Sequence, residues 1–211
     1  MADTKACADM RAFREAVGDW ASGGPGGAAA ELAARSGVRT AVLLEGLSDL
    51  EAVEALAARR GRDLAAEGVC VVSMGGAMNV GRYAGLLGPP GLGLRLAGLC
   101  DEREEPYYER GLERAGAPRG GIFVCVSDLE EEFIRALGTA GVEEIVGAEG
   151  DLRAWQTFQH QPAQLGRPRA QQLRRFLGTK KGRKIRYGRL LAEALTPQQV
   201  PPPLDALLAG L

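Results

Sequence analysis

The sequence predicts an α/β fold, a central parallel sheet of about four strands with helices on both faces, extended by a basic helical segment at the C-terminal end. Three observations predict it. Four short apolar runs alternate with segments of helical period, the pattern of strands joined by crossover helices. Two of those runs end alike: VLLEGLSDLEAVEAL over Val42–Leu56 and IFVCVSDLEEEFIRAL over Ile122–Leu137 both change from strand to helix period at Ser-Asp-Leu-Glu. The charge is also partitioned: residues 1–151 hold 15 basic and 25 acidic side chains, residues 152–192 hold 11 basic and none acidic.

The elements follow in order. Ala6–Trp20 reads as an amphipathic helix, the Gly-rich Ser22–Gly27 as a loop, and Ala28–Arg35 as a short helix. Strand one is Thr40–Leu44. Its helix runs from Asp49 to Arg60, with Leu50, Val53, Leu56 and Ala57 as the buried stripe. Ser48 and Ser127 are expected as N-caps, with Glu51 and Glu130 three residues on completing capping boxes. Strand two is Val69–Ser73, followed by a Gly75-Gly76 turn and a helix over Asn79–Leu87 that Pro89-Pro90 breaks. Strand three is Leu92–Leu99 and ends at Cys100-Asp101; a helix over Pro106–Ala115 follows. Strand four is Gly121–Val126, with a helix over Asp128–Leu137. Beyond Asp151 the composition turns polar, rich in Gln and Arg; Tyr187–Leu195 reads as a helix and Pro201–Leu211 as a short apolar helix packing back. The chain divides into a helical segment 1–36, an α/β core 37–150 and a basic extension 151–211 packing on that core.

Composition excludes several classes. With 45% hydrophobic and 25% charged residues in 211, the chain is of ordinary globular type. No apolar run approaches the roughly 20 residues of a membrane span, and the charged N-terminus lacks a signal-peptide core, so the expected compartment is the cytoplasm. Cys7, Cys70, Cys100 and Cys125 lack paired metal spacing and read as small hydrophobes in a reducing setting.

Chemistry is expected where the strands end. Glu45 and Asp49 flank the turn after strand one; Asp101, with Glu102, Glu104 and Glu105 close behind, ends strand three; Asp128 and Glu130 follow strand four. Carboxylates converging without matching cations repel one another, and a divalent ion is the natural compensation. Oxygen ligands without His or Cys point to Mg2+ or Mn2+, ions that act on phosphate esters. Asp128 and Glu130 also suit a helix first turn, where acidic groups favour the dipole without any metal. Glu45 gains nothing from a cap. In the basic segment, Arg174, Arg175, Lys180, Lys181, Arg183, Lys184 and Arg186 are interleaved with Phe176 and Tyr187 and would neutralise phosphates of DNA or RNA with little sequence preference. Lys181 or Lys184 is a candidate to stabilise charge on a scissile phosphate. His160 reads as a surface residue, and Trp155 and Phe158 as packing residues.

The arrangement resembles the Toprim domain, a Rossmann-like metal-binding module of topoisomerases, primases and certain nucleases, and within it the OLD (overcoming lysogenization defect) nucleases. Glu45 of LLEGLSD stands at the family's acidic position on strand one, and Asp101 where the family has an Asp-x-Asp pair. Asp49, the Gly75-Gly76 turn, the acidic turn after strand four and the late GRKIRYGRLLAEAL fit the same branch. The resemblance implies that Glu45, Asp49 and Asp101 hold a first metal, that Asp128 or Glu130 assists a second, and that a lysine near the start of the last helix, here Lys184, joins them in catalysis. The chain departs from the pattern at Asp101-Glu102-Arg103, where the second aspartate is missing and Glu104 is the next carboxylate within reach of the same ion. No GxxxxGK[ST] loop is found, so the resemblance is to a stand-alone Toprim protein whose ATPase, if any, is a separate partner. The function expected is a metal-dependent nuclease. The alternative is a non-catalytic nucleic-acid-binding or partner-binding subunit of an ATPase-nuclease system, and a homo-oligomer is compatible with either.

Overall fold

The computed structural model describes residues 2–118 and 120–211. Strands β1 (Thr40–Leu44), β2 (Val69–Ser73), β3 (Arg95–Asp101) and β4 (Ile122–Cys125) form one sheet in the order β2-β1-β3-β4, every pair parallel. Helices α1 (Ala2–Ala21) and α2 (Gly27–Ser36) precede the sheet; α3 (Leu47–Arg59), α4 (Val80–Leu87) and α5 (Glu105–Arg114) connect its strands. After β4 come α6 (Leu129–Ala148), α7 (Leu152–Gln159), α8 (Arg169–Leu177), α9 (Lys181–Ala194) and α10 (Pro202–Gly210).

The sheet is buried on both faces, which is why its strands read as continuous apolar runs rather than alternating ones. Successive side chains point to opposite faces. Val42 and Leu44 of β1 join one core with Leu50, Val53 and Leu56 of α3, Phe133 of α6, Phe176 of α8, Tyr187 of α9 and Leu207 of α10. Ala41 and Leu43 join the other, with Phe13 and Val17 of α1, Ala84 of α4 and Tyr108 of α5. Tyr108 lies beneath Gly98 of β3, where even a Cβ would meet its ring at 2.8 Å.

The extension is helical throughout and shares the first core. Trp155, Phe158 and Phe176 form an aromatic cluster with centroids 5.2–6.1 Å apart. Full burial of each such side chain contributes about 1.5–3 kcal/mol. The Gln-rich and Arg-rich composition conceals α7 and α8, which the periodicity does not predict.

The twin Ser-Asp-Leu-Glu segments enter their helices differently, and neither serine is the N-cap. Helix α3 starts at Leu47 with Gly46 as its cap; Asp49 is the third helical residue, and its Oδ2 accepts the Gly46 N–H at 2.9 Å. Helix α6 starts three positions later in the motif. Asp128 is its cap and accepts the Glu131 N–H at 2.8 Å, while Ser127 sits outside at φ 72°. The tetrapeptide specifies a turn into helix, but each strand's exit sets the register. Helix α6 also runs further than its period suggests, continuing past a non-helical Gly138 to Ala148.

Candidate metal centre

Strand β1 continues through α3 to β2 on one side of it, and β3 continues through α5 to β4 on the other. The chain therefore diverges between β1 and β3. Open parallel sheets bind ligands in the crevice at the carboxyl ends of such strands. Glu45 directly follows β1, Asp101 is the last residue of β3, and Glu104 caps α5 with its N–H donated to the Asp101 carbonyl at 2.9 Å. One carboxylate oxygen from each of Glu45, Asp101 and Glu104 lies within 4.8 Å of the others. The Glu45 backbone is held from the opposite side by the turn after β2: its carbonyl accepts the Gly76 N–H at 2.9 Å. Gly75 and Gly76 have φ 70° and 133°, values a side chain would strain.

The electrostatics of the trio are those of a crowded acidic site. Burial, then the charges of Asp49 and Asp128, push Asp101 up to about 8. Burial and a shared hydrogen bond with Glu45 also raise Glu104. Its Oε2 is buried without a hydrogen-bond partner. A buried acceptor left open and carboxylates that hold protons at neutral pH fit a hard divalent cation, whose oxygen ligands must be deprotonated.

The other expected ligands are differently engaged. Asp49 flanks the trio but is turned onto Gly46, with Ser48 Oγ 3.5 Å from its second oxygen; burial raises it. Asp128 caps α6 and is paired with Arg174. Glu130 is raised by burial and faces the ammonium of Lys184 at 3.3 Å. Lys184 is thereby brought to the acidic edge, where Glu130 and Asp49 outweigh the effect of its burial and raise its pKa.

Lys184 arrives there because α9 packs closely on α3. Gly188, one turn further along α9, lies so near α3 that a Cβ would fall 2.4 Å from the Ser48 carbonyl oxygen. A cleft of about 900 Å³ opens beside this edge, lined by Glu45, Asp49, Gly75, Gly76 and Lys184, with Glu15 and Asp19 of α1 across from them. The α1 wall is a long-range contact that the charged N-terminal helix does not announce in sequence.

Residues 38–102 match the family model "Overcoming lysogenization defect protein-like, TOPRIM domain". Over these residues the chain is similar to an OLD-like TOPRIM domain. The match spans β1, β2 and β3, and with them Glu45, Asp49 and Asp101. Among solved structures, the C-terminal region of the Burkholderia pseudomallei OLD protein is similar at a TM-score of 0.58 and 24% identity, over 82% of this chain and 98% of that one. The C-terminal region of the Xanthomonas campestris pv. campestris OLD protein is similar at 0.59 and 25%, over 82% and 93%. No curated protein sequence matches the chain.

Around this TOPRIM-like core the basic residues are less available than their clustering suggests. Arg183 is buried over the Phe176 ring at 4.1 Å, with its guanidinium on Asp151 and on Thr179 Oγ1 at 2.6 Å. Arg186 pairs with Asp151 and Glu149, and Arg174 with Asp128. Arg175 and Lys180 are exposed without an ion-pair partner among the described residues. The Lys181 side chain lies outside the described residues. Trp155 and Phe158 are buried, His160 is exposed, and all four cysteines are free, three of them buried. Among the described residues no helix is long and apolar enough to cross a membrane.

Proposed function

We propose that this chain is a nuclease that hydrolyses phosphodiester bonds with Mg2+ or Mn2+ held by Glu45, Asp101 and Glu104. The observation that carries the reading is the trio itself, three carboxylates converging at the divergence of β1 and β3 with one buried oxygen unpartnered. Glu104 takes the place of the missing second aspartate, offered from the N-cap of α5 instead of the strand end. A divalent cation bound there supplies positive charge to the phosphoryl oxygens and acidifies a water. Asp49 keeps the β1–α3 turn, and with it Glu45, in place through Gly46. Lys184, held by Glu130, turns its ammonium toward a non-bridging oxygen of the phosphodiester. As the water oxygen bonds to phosphorus, the bond to one bridging oxygen breaks; the water gives up its proton and the leaving oxygen gains one. Arg175 and Lys180 hold the strand by its phosphates.

The test is cleavage of supercoiled and single-stranded DNA by the purified chain in Mn2+ or Mg2+, beside Glu45→Gln and an EDTA control. Cutting that requires metal and is lost in the variant is the expected result. Lys184→Met should lower kcat by roughly 100-fold or more, the effect of removing one positioned donor, while the metal-induced rise in Tm persists. Cutting that survives Glu45→Gln would sink the site assignment. The second reading, a non-catalytic binding subunit working with a separate ATPase chain, is favoured by Arg103 in the broken Asp-x-Asp pair. It predicts DNA binding indifferent to EDTA and to Glu45→Gln.

A further inference from the structure

Six large apolar side chains are exposed among the described residues, and four of them stand one on each connection that leaves a strand toward the acidic edge. Leu47 (47% exposed) lies two residues after Glu45, and Met78 (80%) two after Gly76, whose N–H holds the Glu45 carbonyl. Tyr107 (41%) lies three residues after Glu104. Val126 (59%) follows Cys125, the β4 residue in register with Asp101. Each of the four connections at the carboxyl ends of the strands thus carries one exposed apolar side chain, and together they make an apolar rim at the sheet edge that bears the carboxylates.

We propose that this rim seats the bases of an unpaired nucleic-acid strand, so that the site acts on single-stranded DNA or RNA in preference to duplex. The inference rests on the phosphodiesterase reading above and adds the substrate class. With a phosphate at the carboxylate trio, the groups within reach of the rim are the flanking sugars and bases. In a duplex those bases are stacked and paired with their faces covered and only their edges open in the grooves, so four apolar side chains find little to stack on there. In a single strand the bases are free to lie on apolar and aromatic surface, an interaction that tolerates any sequence. Tyr107 is suited to it: Arg110 lies over its ring at 5.1 Å, and stacking can extend from that pair.

A second observation points the same way. The cleft beside Glu45 is walled by α1, which presents Glu15 and Asp19 to it. Lys184 lines the same cleft and can take the phosphate of one strand, whereas the phosphates of a complementary strand would face those carboxylates.

The experiment uses the full chain and a fluorescein-labelled oligonucleotide, alone and annealed to its complement, with anisotropy read in Ca2+ and cleavage read in Mn2+. Single strand should bind at least tenfold tighter than duplex. The double variant Met78→Ser, Tyr107→Ala, both surface positions, should weaken single-strand binding by roughly 10- to 100-fold and leave duplex binding within a factor of two or so. Circular dichroism checks that it folds. Equal affinity for the two forms, or equal weakening of both by the variant, overturns the proposal. Cleavage separates the two readings. If the rim variant alters strand preference as expected but no substrate is cut in Mn2+, the binding preference stands and the hydrolytic reading falls. If duplex and single strand are cut alike, hydrolysis stands and the preference falls.

Discussion

Asp101 shows how a single residue records the charge and burial around it. Its carboxyl is pushed from an ordinary 3.8 to about 8, first by burial and then by Asp49 and Asp128. The sign of the consequence follows from linkage. Between those two values the folded state holds a proton that the unfolded chain has released, so stability is fully present below pH 3.8 and declines as pH rises toward 8. The metal-free protein should therefore lose Tm between about pH 5 and pH 8, and Mn2+ should restore it at the upper end. Asp101→Asn should flatten this decline, raise the metal-free Tm at pH 8 and abolish the Mn2+ response. A variant that still responds to Mn2+ would exclude Asp101 as a ligand. Residue-scale detail was partly legible in sequence: Glu45 and Asp101 were readable as strand-end carboxylates without a structural reason to be there. Asp49 was harder to read, because a carboxylate flanking the turn after strand one was expected to meet the same ion as Glu45, whereas its Oδ2 accepts the Gly46 N–H. The N-caps failed for a related reason, since one tetrapeptide enters α3 and α6 in two registers.

Among the elements, α9 has the most influence on the site relative to its distance along the chain. Gly188 lets it approach α3 at the Ser48 carbonyl, and backbone there cannot swing aside as a side chain would. Gly188→Ala should force the helices apart, cost about 1–3 kcal/mol of stability as overpacking does, and carry Lys184 away from Glu130. Thermal denaturation and single-turnover cleavage together check this: Tm falls, and the rate falls further than stability alone explains. An unchanged rate in the folded variant would mean that Lys184 has no part in the chemistry. Strands β1 and β2 were legible residue for residue, because both are buried on both faces and read as unbroken apolar runs, whereas β3 starts three residues later and ends two later than the run over Leu92–Leu99, and β4 is one residue shorter at each end. Helices α7 and α8 were not legible, because Trp155, Phe158, Leu173 and Phe176 are spread among Gln and Arg, and only their mutual packing makes a core of them.

At the scale of the whole molecule, the charge partition is largely settled internally. Seven basic residues of the extension read as a phosphate-binding arm, but Arg174 and Lys184 face Asp128 and Glu130 of the core, Arg183 faces Asp151, and Arg186 faces Asp151 and Glu149. Composition reveals the imbalance and not the pairing, which needs contacts more than thirty residues apart in sequence. Arg175 and Lys180 are left among the described residues, so binding of a nucleic acid should show a shallow salt dependence. A plot of log affinity against log salt should have a slope of magnitude about 2, where seven phosphate contacts would give about 5 or more. A steep slope would mean that the internal pairs open on binding. The same pairing orders events during synthesis. Asp101 leaves the ribosome more than eighty residues before Lys184, an interval on the order of ten seconds. Throughout it the carboxylates have no ammonium opposite them, and α3 has no partner at Ser48. On the nuclease reading, a nascent chain can thus close its sheet early yet remain chemically inert, and the last long helix to emerge is the one that would arm it.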